Sequence, residues 1–135
     1  MNNLLFLQNL ILKDFNYLED NNIHLLDVIV EQGSDEEFPN KRDFAMSIYQ
    51  GKNKPIILKY NPLLLEEDTG TIIGILRHEI AHIWFFTQGD VVNHTERETD
   101  LKAEELFGTP IFYNHNYVQT VYPTKYTIRP HHLPK

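Results

Sequence analysis

At 135 residues the chain has the length of one domain, 1–135, and enough residues to bury a core without covalent staples. It contains no cysteine, which excludes a disulfide scaffold and any thiolate-bound metal, so a metal here would be held by histidine and carboxylate. Twelve Lys and Arg against 19 Asp and Glu leave a net charge of −7. Without a basic cluster this argues against nucleic acid and for a protein or peptide partner.

In chain order, Leu4, Leu7, Ile11, Phe15 and Leu18 fall at helical spacing, with Asn9, Lys13, Asp14 and Glu19 on the other positions, which predicts an amphipathic helix from Asn3 to about Asp20. The run Leu4 to Leu12 has no cation before it and no small-residue cleavage site, and polar residues interrupt it well short of a membrane span. A cytoplasmic chain with no membrane segment is expected. Ile23 to Val30 is rich in β-branched residues and bounded by turn residues, which predicts a strand. The acidic stretch Gly33 to Glu37, with Pro39 and Asn40, reads as a solvated loop. Phe44 to Tyr49 and Ile56 to Tyr60 read as two strands of a hairpin joined by a Gly-containing loop, and Leu63 to Glu67 as a short helical turn.

The segment Leu76-Arg77-His78-Glu79-Ile80-Ala81-His82-Ile83-Trp84 is the most informative. It is flanked by N-cap residues from Asp68 to Thr71 and by Gly89, which predicts a helix from about Thr71 to Thr87. Apolar residues cover most of that helix's circumference, so it is expected to be buried. Histidines four apart share a helix face, and a glutamate directly after the first completes the His-Glu-x-x-His zinc signature: imidazoles to bind Zn2+, and Glu79 to act on water. The other reading of the same residues is a histidine pair bridging the core.

A catalytic zinc usually takes three protein ligands, so the next helix is where the third should lie. That helix opens with Thr95 and Glu98 as a capping box and stops at Gly108 and Pro110. Glu96 and Asp100 share a face, while Glu98 points away into the cap. The histidine helix runs about 10 Å past His82, and residues 89–94 can span roughly 20 Å, enough to return Glu96 to the histidines. Glu96 is assigned as the third metal ligand, with His94, Glu98 and Glu104 as alternatives. Beyond Ile111 the chain is rich in Tyr, His and Pro without a clear period, and 113–135 reads as an irregular tail. Its residues Tyr113, His115, Tyr117, Tyr122, Tyr126, His131 and His132 are candidate oxyanion donors, and the tail reads either as packed on the far side of the helices or, in part, as a cover for the active-site groove.

His-Glu-Ile-Ala-His followed by Glu-Arg-Glu-Thr-Asp resembles the gluzincin pattern, and the run on through Leu101 to Leu106 is most similar to ImmA/IrrE-type metallopeptidases. The resemblance spans about Ile56 to Phe107. It implies an α+β zincin-like domain: an N-terminal helix, a three-stranded, mainly antiparallel sheet, an active-site helix and a zinc-ligand helix. It also implies that Glu96 is the third ligand, that Asp100 orients a ligating histidine, and that an edge strand, here Ile56 to Tyr60, binds the substrate backbone. Thr99 departs from the alanine common at its position, and the interval between His82 and Glu96 is shorter than in many gluzincins; a third histidine at His94 would instead resemble SprT-like peptidases. The implied activity is zinc-dependent hydrolysis of a protein, such as a repressor or other regulatory protein, with Glu79 as the catalytic base. The alternative is a non-proteolytic zincin-fold regulatory protein.

Overall fold

The computed structural model describes residues 3–39 and 43–111, so the predicted tail, 113–135, lies outside the described residues. Its elements are α1 (Asn3–Asp20), β1 (Val28–Gln32), β2 (Ala45–Ile48), β3 (Ile56–Tyr60), a 3-10 turn (Pro62–Glu66), α2 (Thr69–Thr87) and α3 (Glu96–Phe107). This is the expected α+β architecture, with an N-terminal helix, three strands and two further helices.

The α2 helix starts where its cap chemistry starts. The Asp68 side chain accepts a hydrogen bond from the Thr71 backbone N–H at 2.9 Å, satisfying one of the donors that a helix N-terminus leaves unpaired. The other end closes through Gly89, whose φ of 91° is costly for a side chain-bearing residue. Between these limits Ile72, Ile75, Leu76, Ile80, Ala81 and Ile83 are buried, and α2 packs against β2, α1 and α3. Each fully buried Leu or Ile contributes about 1.5–3 kcal/mol of apolar transfer.

Strand order is β1-β3-β2, with β1 parallel and β2 antiparallel to β3. The sheet is therefore mixed, where mainly antiparallel pairing was expected: β2 and β3 form the hairpin, and the chain crosses over from β1 to reach it. Two further corrections follow from this order. Ile56 to Tyr60, expected at an edge, is the central strand, with Ile56, Leu58 and Tyr60 buried in alternation. The edge strand that packs on α2 is β2. The first strand also begins later than Ile23, because β3 offers partners only from Val28, opposite Ile56. The preceding residues instead pass the end of α2, where the Leu26 N–H donates to Thr87 Oγ1 at 3.1 Å.

The acidic loop after β1 is more ordered than its composition suggests. Ser34 donates through N and Oγ to Glu37 Oε1, Glu37 pairs with Lys59, and Phe38 is buried against Gly33. A Cβ at Gly33 would lie 2.2 Å from the Phe38 ring, so any side chain there would force that buried ring to move.

Asp14 differs from its expected place on the polar side of α1. Leu7, Ile11, Asp14 and Leu18 form the buried stripe of that helix, and Arg77 of α2 meets the Asp14 carboxylate through Nε and Nη2, each at 3.1 Å. The Arg77 guanidinium also lies 4.5 Å from the centre of the Phe107 ring and donates to Thr109. One arginine thus ties α1, α2 and the end of α3 together, one residue before the first histidine of the motif. Removing one partner of a largely buried pair strands the other charge. Asp14→Ala is expected to lower the unfolding free energy by about 2–4 kcal/mol, discounted because Arg77 retains some solvent contact. A denaturant titration with an unchanged midpoint would show that the pair does not anchor the helices.

Candidate metal centre

His78 and His82 project from one face of α2 because four residues make slightly more than one helical turn. Their rings pack edge to face, with centroids 4.8 Å apart. The loop after Gly89 turns the chain back, and Thr95 starts α3 through a complete capping box: Glu98 N–H donates to Thr95 Oγ1 at 3.0 Å, and Thr95 N–H to Glu98 Oε1 at 3.1 Å. That start places Glu96 in the first turn, over the histidines, and Asp100 one turn deeper. Thr99 is accommodated between them, buried and donating its hydroxyl to the Thr95 carbonyl at 2.8 Å.

The Glu96 carboxylate bridges both imidazoles. Its Oε2 lies 2.7 Å from His78 Nε2 and its Oε1 3.3 Å from His82 Nε2. Behind His78, Asp100 is fully buried and places Oδ1 2.7 Å from His78 Nδ1. A ring between two carboxylates has a defined orientation: Nδ1 faces inward to Asp100, Nε2 outward to Glu96. Glu79 completes the cluster, with possible ligand atoms of His78, Glu79 and His82 all within 4.8 Å of one another. Its Oε1 accepts a hydrogen bond from Ser47 Oγ of β2 at 2.8 Å. Glu79 is thus held toward β2, while Glu96 is the carboxylate touching both Nε2 atoms.

The other candidate ligands lie elsewhere. Glu98 is engaged in the cap of α3. Glu104 faces the far end of the helix, where its Oε2 accepts from the Ile111 N–H. His94 reaches the site from the opposite side: its Nε2 lies 2.9 Å from His82 Nδ1, the nitrogen that faces away from Glu96. The candidate oxyanion donors of the tail are outside the described residues.

These side chains border a cleft of about 350 Å³ whose walls include Met46 and Ser47 of β2, Glu79, His82, Glu96 and the loop residue Val92. Val92 is 83% exposed at this rim. A larger concavity, about 610 Å³, lies between α1 and β1, but Asp27 is the one ionisable residue in its lining and no ligand set is present there. Chemistry rather than size identifies the smaller cleft as the candidate site.

The donor set suits zinc. Two imidazole nitrogens and a carboxylate converge from two helices, the second imidazole nitrogen of each histidine is occupied behind it, and no thiolate is involved. Sequence reasoning placed His78, Glu79, His82, Glu96 and Asp100 in one site, and the structure brings all five together. It did not anticipate Ser47, whose contact depends on β2 being the strand beside α2. The strand pattern of the segment does not say which strand neighbours the helix, and all four residues of β2 are partly buried.

The comparisons with known proteins leave this geometry to stand by itself: no family model, no curated protein and no solved structure matches the chain.

In the metal-free protein the pairing of His78 with two carboxylates changes its acid–base behaviour. Burial of His78 opposes its charge, but hydrogen bonds to Asp100 and Glu96, with the charges of Asp100 and Glu79, outweigh it and hold its pKa well above 6.5. Hydrogen bonds from His78 and then His82 hold the Glu96 carboxyl well below the usual carboxylate range, against its partial burial. The raised His78 value gives stability that is fully present below about pH 6.5 and is lost as pH rises through the folded-state pKa; the depressed Glu96 value gives stability present above about pH 4.3 and lost as pH falls through its folded-state pKa. NMR titration of the metal-free protein is therefore expected to show His78 deprotonating well above pH 6.5, with Asp100→Asn moving the midpoint down. A wild-type midpoint at or below 6.5 would contradict this arrangement.

Proposed function

We propose that the chain is a cytoplasmic zinc metallopeptidase that hydrolyses peptide bonds in a protein substrate. Regulatory proteins such as repressors are the substrate class suggested by its resemblance to ImmA/IrrE-type enzymes. The observation that carries this reading is the convergence of His78 Nε2, His82 Nε2 and the Glu96 carboxylate beside a fourth group, Glu79, that is held separately by Ser47. A binding-only site has no use for that extra carboxylate. A group that must move a proton does.

His78, His82 and Glu96 would hold the metal, and a bound zinc supplies Lewis acidity that polarises a carbonyl and acidifies water. The chain's own residues do the remainder. Asp100 accepts a hydrogen bond from His78 Nδ1–H and so keeps the ring proton on that nitrogen, which leaves Nε2 with its lone pair directed at the site. Ser47 occupies Oε1 of Glu79 and orients the carboxylate, so that Oε2 can take a proton from the attacking water and return it to the leaving amine. The outer edge of β2 can pair with an extended peptide backbone, placing a scissile bond across the cleft. That role belongs to β2, the edge strand beside α2, in place of the central strand expected from sequence.

Glu79→Gln keeps the shape of the side chain and removes its capacity to accept a proton. The variant is expected to retain fold and zinc content while cleavage of a mixture of unfolded proteins falls by about 10²- to 10⁴-fold. Cleavage near the wild-type rate would remove Glu79 from the mechanism. A wild-type chain that binds zinc yet cleaves neither unfolded proteins nor repressor substrates would favour a regulatory role for the same fold.

A further inference from the structure

His94 is buried in the loop that leads to α3, its side chain only 4% exposed, although it carries two polar nitrogens. Its ring lies flat on Phe85, with centroids 4.3 Å apart and planes 5° from parallel. Nε2 is 2.9 Å from His82 Nδ1. The other nitrogen, Nδ1, is buried without a hydrogen bond and faces Asp90 Oδ1 at 3.5 Å. Asp90 is itself held: its N–H donates to the Phe85 carbonyl at 2.9 Å and its Oδ1 accepts from the Asn93 N–H at 2.8 Å. The glycine-dependent turn at Gly89 that ends α2 therefore delivers a carboxylate to the back of His94.

Proton placement along this line has one consistent solution for a ligating His82. If His82 Nε2 presents a lone pair to a metal, the ring proton sits on Nδ1 and must be donated. His94 Nε2 is the atom that accepts that hydrogen bond, so the His94 proton sits on Nδ1, the nitrogen that lies 3.5 Å from Asp90 Oδ1. The hydrogen bond between the two rings couples their tautomers, and the negative charge of Asp90 lies on the side of the protonated His94 nitrogen.

We propose that His94 is a positioning residue: with Asp90 behind it, it fixes the ring orientation and tautomer of His82, as Asp100 does for His78, and it is not itself a metal ligand. This inference rests on the metal-centre reading above. It also assigns a role to the short loop between α2 and α3, which carries the support for one ligand, Asp90 and His94, immediately before the helix that carries another, Glu96.

Two substitutions separate this role from simple packing. Gln can place an acceptor oxygen near the position of the imidazole Nε2, whereas Phe keeps the aromatic stack on Phe85 but offers no acceptor. Zinc affinity is measured by competition with a chelating dye on the full chain, together with the visible spectrum of the cobalt-substituted protein and thermal unfolding. His94→Phe is expected to weaken zinc binding about 10- to 100-fold and alter the cobalt spectrum, while His94→Gln stays close to wild type in both. The reverse order, with Phe preserving affinity and Gln losing it, would make His94 a packing residue and overturn the proposal. Equal affinity in both variants would overturn it as well. Loss of binding in both, with Glu96→Ala retaining metal, would make His94 a ligand and also overturn it. If the wild-type chain takes up no zinc, the metal-centre reading fails first and this inference fails with it.

Discussion

A buried imidazole held between two carboxylates is the interaction on which the site depends. His78 lies in a helix that is apolar on nearly every side, where a polar ring without partners would be costly. Asp100 and Glu96 remove that cost from opposite sides of the ring, and both come from α3. The crossing of α2 and α3 is thus specified by polar groups as well as by the packing of Ala103, Leu106 and Phe107. It also follows that the two helices cannot slide by a turn without leaving Asp100, which is fully buried, away from the ring nitrogen it faces.

Other parts of the fold brace that crossing. Arg77 joins α2 to Asp14 of α1 and to the end of α3, so the residue next to His78 in sequence anchors the helix on its far side. Ser47 of β2 reaches Glu79 from the sheet side. The site is consequently bounded by a buried helix, a strand edge and a capped helix start, an arrangement that fixes the positions of the side chains between them. The least buried member is Glu96, whose side chain is 61% exposed at the mouth of the cleft.

The legible part of this architecture is local. The spacing of His78, Glu79 and His82 requires only helical geometry, and the Thr95–Glu98 capping box fixes where α3 starts, so Glu96 and Asp100 follow from the same turn arithmetic. Asp14 was readable too: it stands three residues after Ile11 and four before Leu18, within the apolar stripe, although its charge suggested the opposite face. Strand order was not readable. Ile56 to Tyr60 and Ala45 to Ile48 both form strands, and which one lies at the edge depends on where β1 pairs, a long-range contact with no local signal. The contacts of Ser47 with Glu79 and of His94 with His82 were hidden for the same reason, since each depends on what the fold brings together.

The central claim is that His78, His82 and Glu96 form one zinc site, and the most direct test is anomalous diffraction at the zinc edge from crystals of the zinc-loaded protein. The account predicts a single strong peak with His78 Nε2 and His82 Nε2 at about 2.0–2.1 Å and a Glu96 oxygen at about 2.0–2.2 Å. A peak ligated by His94 or Glu79 in place of Glu96, or no peak between the two histidines, would contradict it.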